Sequence, residues 1–147
     1  DLEGVERHLR TGEVALLIAE PALTNSGVIF PSATFHAELR RLTSESGTLL
    51  LVDETQTLPC AYGGLVHEWG LEPDFVTVGK PLASGLAAAA YGFSADVASR
   101  VQESIRLDEA DTGGIGGTLA GNALVLAAMR ATLRSVSAMM FWSRSRT

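Results

Sequence analysis

Lysine is almost missing from this chain: of its 11 lysine and arginine residues, only Lys80 is lysine. Cysteine is as scarce. Cys60 stands alone, which excludes an internal disulfide and the disulfide-stapled class of small secreted domains, so a reducing, cytoplasmic setting is expected. Positive charge is short too. A net charge of −6 and a pI near 5.0 leave no basic surface for phosphate neutralisation, and no nucleic acid is expected as a partner. Aromatic residues make up only 6%. No apolar run is long enough to span a membrane. The longest uncharged stretch, "GGIGGTLAGNALVLAAM", is broken by glycines and reads as a loop entering a helix, so no membrane partner is expected. Neither a signal peptide nor a methionine opens the chain, which is therefore expected to be a piece of a longer protein.

What is present is an apolar, globular composition: 46% hydrophobic and 19% charged over 147 residues, enough for one domain that buries roughly 68–70% of its unfolded surface. The pattern alternates. "VALLIAE" (residues 14–20), closed by Pro21, reads as a buried strand. In "SATFHAELRRLTSESG" the apolar residues Phe35, Leu39 and Leu42 recur at helical spacing, with Ser32 as the expected N-cap and Gly47 as the stop. "TLLLVDE" (48–54) and "FVTVGK" read as further strands, "GLVHEWG" as a short helical turn, and "AAAAYGF" (87–93) as a fourth strand. "ADVASRVQESIR" and "LAGNALVLAAMRATL" read as helices. Strands separated by helical segments predict an α/β fold, a mostly parallel sheet flanked by helices. The link from Lys80 to Ala87 is too short for a crossover helix, so the fourth strand is expected to run antiparallel.

Ligands of open α/β sheets sit beyond the carboxyl ends of the strands. Glu20, Asp53 with Glu54, and Lys80 all fall at such ends. Any one of them alone also reads as an ordinary strand-end or loop residue; three in series point to a site. "LLLVDE" looks like the acidic strand of a nucleotide hydrolase, but that chemistry needs a Gly-x-x-x-x-Gly-Lys-Ser/Thr loop. Gly79-Lys80 is followed by Pro81 and lacks the earlier glycine. "TGGIGGTLAGN" runs into a helix, so its amides and Thr118 could meet a phosphate, although alone such a loop is equally a flexible turn. A strand-end aspartate, a strand-end lysine and a Gly-Thr helix entry together suit pyridoxal 5'-phosphate. The lysine amine forms an imine with the aldehyde, the carboxylate keeps the pyridine nitrogen protonated, and the threonine takes a phosphate oxygen.

Residues 14–133 resemble the class III aminotransferases, including their glutamate-1-semialdehyde aminomutase branch. The family's strand ending Glu-Pro is matched by "LLIAEP", its Asn-x-Gly before proline by "TNSGVIFP", its "DEVQTG" strand by "LLLVDETQT", its "PDhhThGK" by "PDFVTVGK", and its "GTxxGNP" by "GTLAGN". The resemblance implies that Lys80 is the Schiff-base lysine and Asp53 the pyridine partner. It also implies that Thr118 binds the cofactor phosphate across the subunit boundary of a homodimer. Thr55 and Gln56 are implied beside the cofactor, and Glu20 as a lining residue. Four departures stand out: Thr55 replaces the usual valine, "LPCA" replaces "GFGR", "ASG" replaces "GGG", and Ala123 replaces proline.

The implied organisation is a partial cofactor-binding large domain over 1–134 and an atypical Ser/Arg-rich tail over 135–147 that does not read as the family's helix. The family's upstream phosphate loop and stacking aromatic, and its C-terminal small domain, have no counterpart in this stretch. The implied activity is amino transfer between an amine or amino acid and a keto acid or aldehyde. An intramolecular aminomutase of the glutamate-1-semialdehyde type is the alternative, and a catalytically silent association module is a third reading from a different class.

Overall fold

The first strand forms where four consecutive apolar residues precede the Pro21 break. A computed structural model of the chain describes residues 1–107, 117 and 119–144. Helix α1 (Leu2–Leu9) leads to strand β1 (Leu16–Ala19), helix α2 (Phe35–Ser46) and strand β2 (Leu49–Asp53). Helix α3 (Gly64–Glu68), strand β3 (Phe75–Val78), strand β4 (Ala90–Phe93), helix α4 (Ala95–Leu107) and helix α5 (Ala123–Arg144) follow. The four strands make one sheet in the order β1-β2-β3-β4. β1, β2 and β3 are mutually parallel, while β4 is antiparallel to β3. The expected α/β class and the one antiparallel strand are both present. Between β3 and β4 the chain makes only a 3-10 turn, Lys80–Ala83, in place of a crossover helix.

Successive strand residues face opposite sides of a sheet. On one side Leu50 and Val52 pack with Leu39 of α2 into the buried core, joined by Leu2 and Val5 of α1, Leu17, Ala19, Phe35 and Val66. On the other side the strand register aligns Leu16 with Leu49, Ile18 with Leu51, and Asp53 with Thr77 and Tyr91. That side is far less covered: Leu16 and Ile18 are 37% and 64% exposed. Burying one such side chain is worth about 1.5–3 kcal/mol, so the covered side holds the sheet to its helices.

Helix α2 begins later than the sequence pattern suggests. Its N-cap is Thr34 rather than Ser32, and no side chain bonds the first-turn amides. Ser32 instead closes a preceding turn, its carbonyl accepting from Phe35 at 3.0 Å. Gly47 ends the helix as expected, at φ 72°, where a side chain would be strained. Helix α5 starts at Ala123, capped by Oδ1 of Asn122, which accepts from the amides of Leu124 and Val125 at 3.1 and 3.2 Å. It continues to Arg144, through most of the Ser/Arg-rich segment that does not read as the family's helix. No proline or glycine occurs between 123 and 144, so nothing in the backbone stops it. No helix among the described residues is long and apolar enough to cross a membrane.

Candidate active site

Parallel pairing of β2 and β3 brings the chemically capable residues to one end of the sheet. Asp53 is the last residue of β2 and pairs in register with Thr77. Lys80 lies three residues beyond Thr77, where β3 gives way to the 3-10 turn. The amide of Glu54 still donates to the Thr77 carbonyl at 2.8 Å, so the two strands stay zipped up to Asp53 and the approach to Lys80.

Asp53 is half-buried, and its Oδ1 accepts from the amide of Thr55 at 2.8 Å. Among the described residues Oδ2 has no partner and Asp53 is in no salt bridge. The aspartate is thus fixed by one oxygen and offers the other. Lys80 is exposed and makes no ion pair among the described residues. Its backbone φ is 42°, in the left-handed region that non-glycine residues avoid. An outlier of this kind costs about 1–3 kcal/mol and is characteristic of functional positions. Helix α5 lies against the turn carrying Lys80, with Ser84 Oγ and Thr132 Oγ1 2.9 Å apart.

Thr55, one of the departures from the family pattern, bonds Asp53 through its amide. A Cβ placed on Gly79 would lie 3.5 Å from both Oγ1 and Cγ2 of Thr55, so the threonine side chain rests on the residue that precedes Lys80. Gln56 is half-buried in the same turn. Glu20 lies just past the end of β1, one strand farther out, and its Oε2 accepts from Thr24 Oγ1 at 3.2 Å. Thr118 lies outside the described residues. Glu54 behaves differently from Asp53. It is 1% exposed and its carboxylate turns inward to Thr57, Leu65 and Val66. The two-residue alternation of a strand is the signal that separates the pair, since neighbours point to opposite faces.

This donor set fits pyridoxal phosphate. Among the described residues it offers a lysine amine without an ion pair, a carboxylate with one restrained and one available oxygen, and the Thr55 side chain beside Gly79. Comparison with known proteins agrees. The description "Aminotransferase class-III" matches residues 1–147. A glutamate-1-semialdehyde 2,1-aminomutase of Roseiflexus castenholzii is 40% identical over 141 residues, 94% of this chain and 31% of that protein. The structure of a glutamate-1-semialdehyde aminomutase from Pseudomonas aeruginosa PAO1, in complex with PMP, is 43% identical. It superposes with a TM-score of 0.81, covering 90% of this chain and 30% of that one. The ornithine delta-aminotransferase of Plasmodium falciparum is 27% identical with a TM-score of 0.77, covering 95% and 35%. The chain spans about 30% of the length of the curated relatives it matches. It belongs to the class III aminotransferases, a family whose cofactor is pyridoxal 5'-phosphate.

Proposed function

We propose that a family-length protein containing this chain transfers an amino group between an amine or amino acid and a keto acid or aldehyde. The carrying observation is the placement of the chain's single lysine and of Asp53 at adjacent carboxyl ends of β3 and β2. In this reading Lys80 would hold the cofactor through Nζ and the Asp53 carboxylate would pair with the ring nitrogen. Thr55 and Gln56 stand beside the ring, and Thr118 takes the phosphate across the interface of a homodimer. The assignment of Thr118 and of the homodimer rests on the family resemblance.

Bound pyridoxal phosphate supplies an electron sink for the electron pair released at the amine-bearing carbon. The chain's own residues do the rest. The Asp53 carboxylate, held by the Thr55 amide, would keep the ring nitrogen protonated and so maintain that sink. Lys80 Nζ would take the proton from the substrate's amine-bearing carbon as general base and return it as general acid. The Thr55 side chain lies within 3.5 Å of where a Cβ on Gly79 would stand and would restrict movement of the backbone leading to Lys80.

A second reading, the intramolecular aminomutase, draws support from the names of relatives 37–40% identical. It uses the same residues in the same roles and differs only in that one molecule serves as donor and acceptor. Borohydride reduction of the cofactor-loaded protein followed by peptide mapping tests the shared core: the cofactor mass is expected on Lys80. A mass on any other residue, or none, overturns the assignment. Dependence of turnover on an added keto acid or aldehyde then separates amino transfer from mutation within one molecule.

A further inference from the structure

The two neighbouring carboxylates at the end of β2 divide their duties, and the buried one has no part in the chemistry above. Oε2 of Glu54 accepts from Thr57 Oγ1 at 2.7 Å and from the amide of Leu65 at 3.1 Å, while Oε1 accepts from the amide of Val66. Its carbonyl accepts from the amides of Thr57 and Leu58 at 3.2 and 2.9 Å, and its own amide reaches Thr77 in β3. Thr57 is likewise 1% exposed. One residue therefore ties the turn after β2 to β3 and to the start of α3. A carboxylate this deep persists only when such donors replace its water.

The chain has made room for it. Gly64 has φ 75°, and a Cβ there would overlap the Glu54 carboxyl group, 2.7 Å from Cδ. The next amide along the same turn is that of Thr55, which holds Oδ1 of Asp53 at 2.8 Å. The Thr55 side chain, in turn, lies on Gly79 beside Lys80. Any rotation of this turn moves the Thr55 amide and frees the Asp53 carboxylate to rotate.

We propose that Glu54 is the positioning residue for Asp53. Through Thr57, Leu65 and Val66 it fixes the turn whose Thr55 amide sets the Asp53 carboxylate against the cofactor ring. The inference rests on the reading that Asp53 is the ring-nitrogen partner. Glu54→Gln in the family-length, cofactor-loaded protein tests it, because the amide keeps the shape but presents an NH2 to at least one of the three donors. Thr57→Val removes a single donor at almost constant volume and decides the matter should Glu54→Gln not fold. Leu39→Ala serves as a control that lowers stability from within the core, away from the turn.

In Glu54→Gln the cofactor is expected to stay on Lys80, while the pH at which its absorbance band changes moves away from that of the unaltered protein. kcat is expected to fall about tenfold, the lower end of the cost of losing an outer support for a functional group. KM for the amino donor should stay within about twofold. Thr57→Val should shift both readouts in the same direction by less. An unchanged absorbance profile and kcat in Glu54→Gln, or in Thr57→Val if only that variant folds, overturns the proposal. So does Leu39→Ala reproducing the same changes at matched loss of stability. No cofactor adduct at Lys80 in the unaltered protein removes the underlying reading and the inference with it, and that result is visible before any variant is made.

Discussion

Arg40 and Asp74, 34 residues apart, form a 2.8 Å ion pair that fastens α2 to the start of β3. The same Oδ2 of Asp74 accepts from the amide of Leu50 at 2.8 Å, while the backbone of Asp74 bonds Leu50 in β2 and Ser94 after β4. Asp74 thereby joins three strands and a helix at the end of the sheet opposite Lys80. Asp74→Ala would leave a part-buried guanidinium and a backbone amide without their acceptor. Hydrogen bonds to charged groups are worth about 1.5–3 kcal/mol, so the loss is expected to be about 2–4 kcal/mol in urea unfolding. A midpoint within error of the unaltered protein would refute this role.

The left-handed backbone at Lys80 predicts a trade of stability against function. A non-glycine residue in this conformation costs about 1–2 kcal/mol, and glycine loses about 0.5–1 kcal/mol of that advantage to chain entropy. Lys80→Gly is therefore expected to be neutral or to stabilise by up to about 1 kcal/mol, while amino transfer in a family-length protein disappears. Clear destabilisation on denaturant unfolding would show that the φ of 42° carries no strain.

Gly64 admits no side chain, for two separate reasons. Its φ of 75° is unfavourable for any Cβ, and a Cβ would overlap the Glu54 carboxyl group. Gly64→Ala is expected to destabilise by about 2–4 kcal/mol, combining the left-handed penalty with overpacking. Calorimetry on the variant checks it. Gly12, also at positive φ but with open space around it, is the contrast: Gly12→Ala should show only the conformational part.

Much of this arrangement was legible because it follows from local pattern. Pro21 after an apolar run marks β1, the 4-and-3 spacing of Phe35, Leu39 and Leu42 marks α2, and the short link after Lys80 forces β4 to turn back. The strand-end positions of Asp53 and Lys80 were legible for the same reason. Three features were not. Ser32 resembles a cap by type, yet the cap position depends on where the turn before α2 closes. Continuation of α5 to Arg144 depends on the absence of a breaker, which a Ser/Arg-rich composition obscures. Alternation puts Glu54 on the face opposite Asp53, but the long-range bonds that hold Glu54 and Asp74 reach partners 11 to 34 residues away, and such contacts leave no trace in sequence periodicity.

Removing the Asp53 charge should separate binding from chemistry. In a family-length protein, Asp53→Ala leaves the Lys80 amine intact, so reduction with borohydride should still fix the cofactor there. Losing one preorganised electrostatic group costs about 10²–10³-fold in turnover, and a fall of at least about 100-fold is expected in steady-state kinetics. Near-normal turnover would contradict the role given to Asp53.

The 147-residue chain on its own is expected to bind pyridoxal phosphate weakly and to transfer no amino group. In the proposed reading Lys80 and Asp53 account for the imine and the ring nitrogen and leave the phosphate unattended. Oriented amides and charge-assisted contacts supply much of the affinity for such an anion, and a net charge of −6 repels it at long range. The chain also spans about 30% of the relatives' length. The open side of its sheet carries Ile18 at 64% exposure, and α5 carries Leu124 at 69%. Apolar surface of this kind favours self-association over a stable, ordered site. A dissociation constant on the order of 0.1 mM or weaker is expected, roughly −5.5 kcal/mol of binding. Titration followed by the absorbance of the bound cofactor, with an amine-acceptor assay on the same sample, measures both. Tight one-to-one binding with measurable transfer would show that Lys80, Asp53 and the Glu54-held turn suffice without the rest of the family's length.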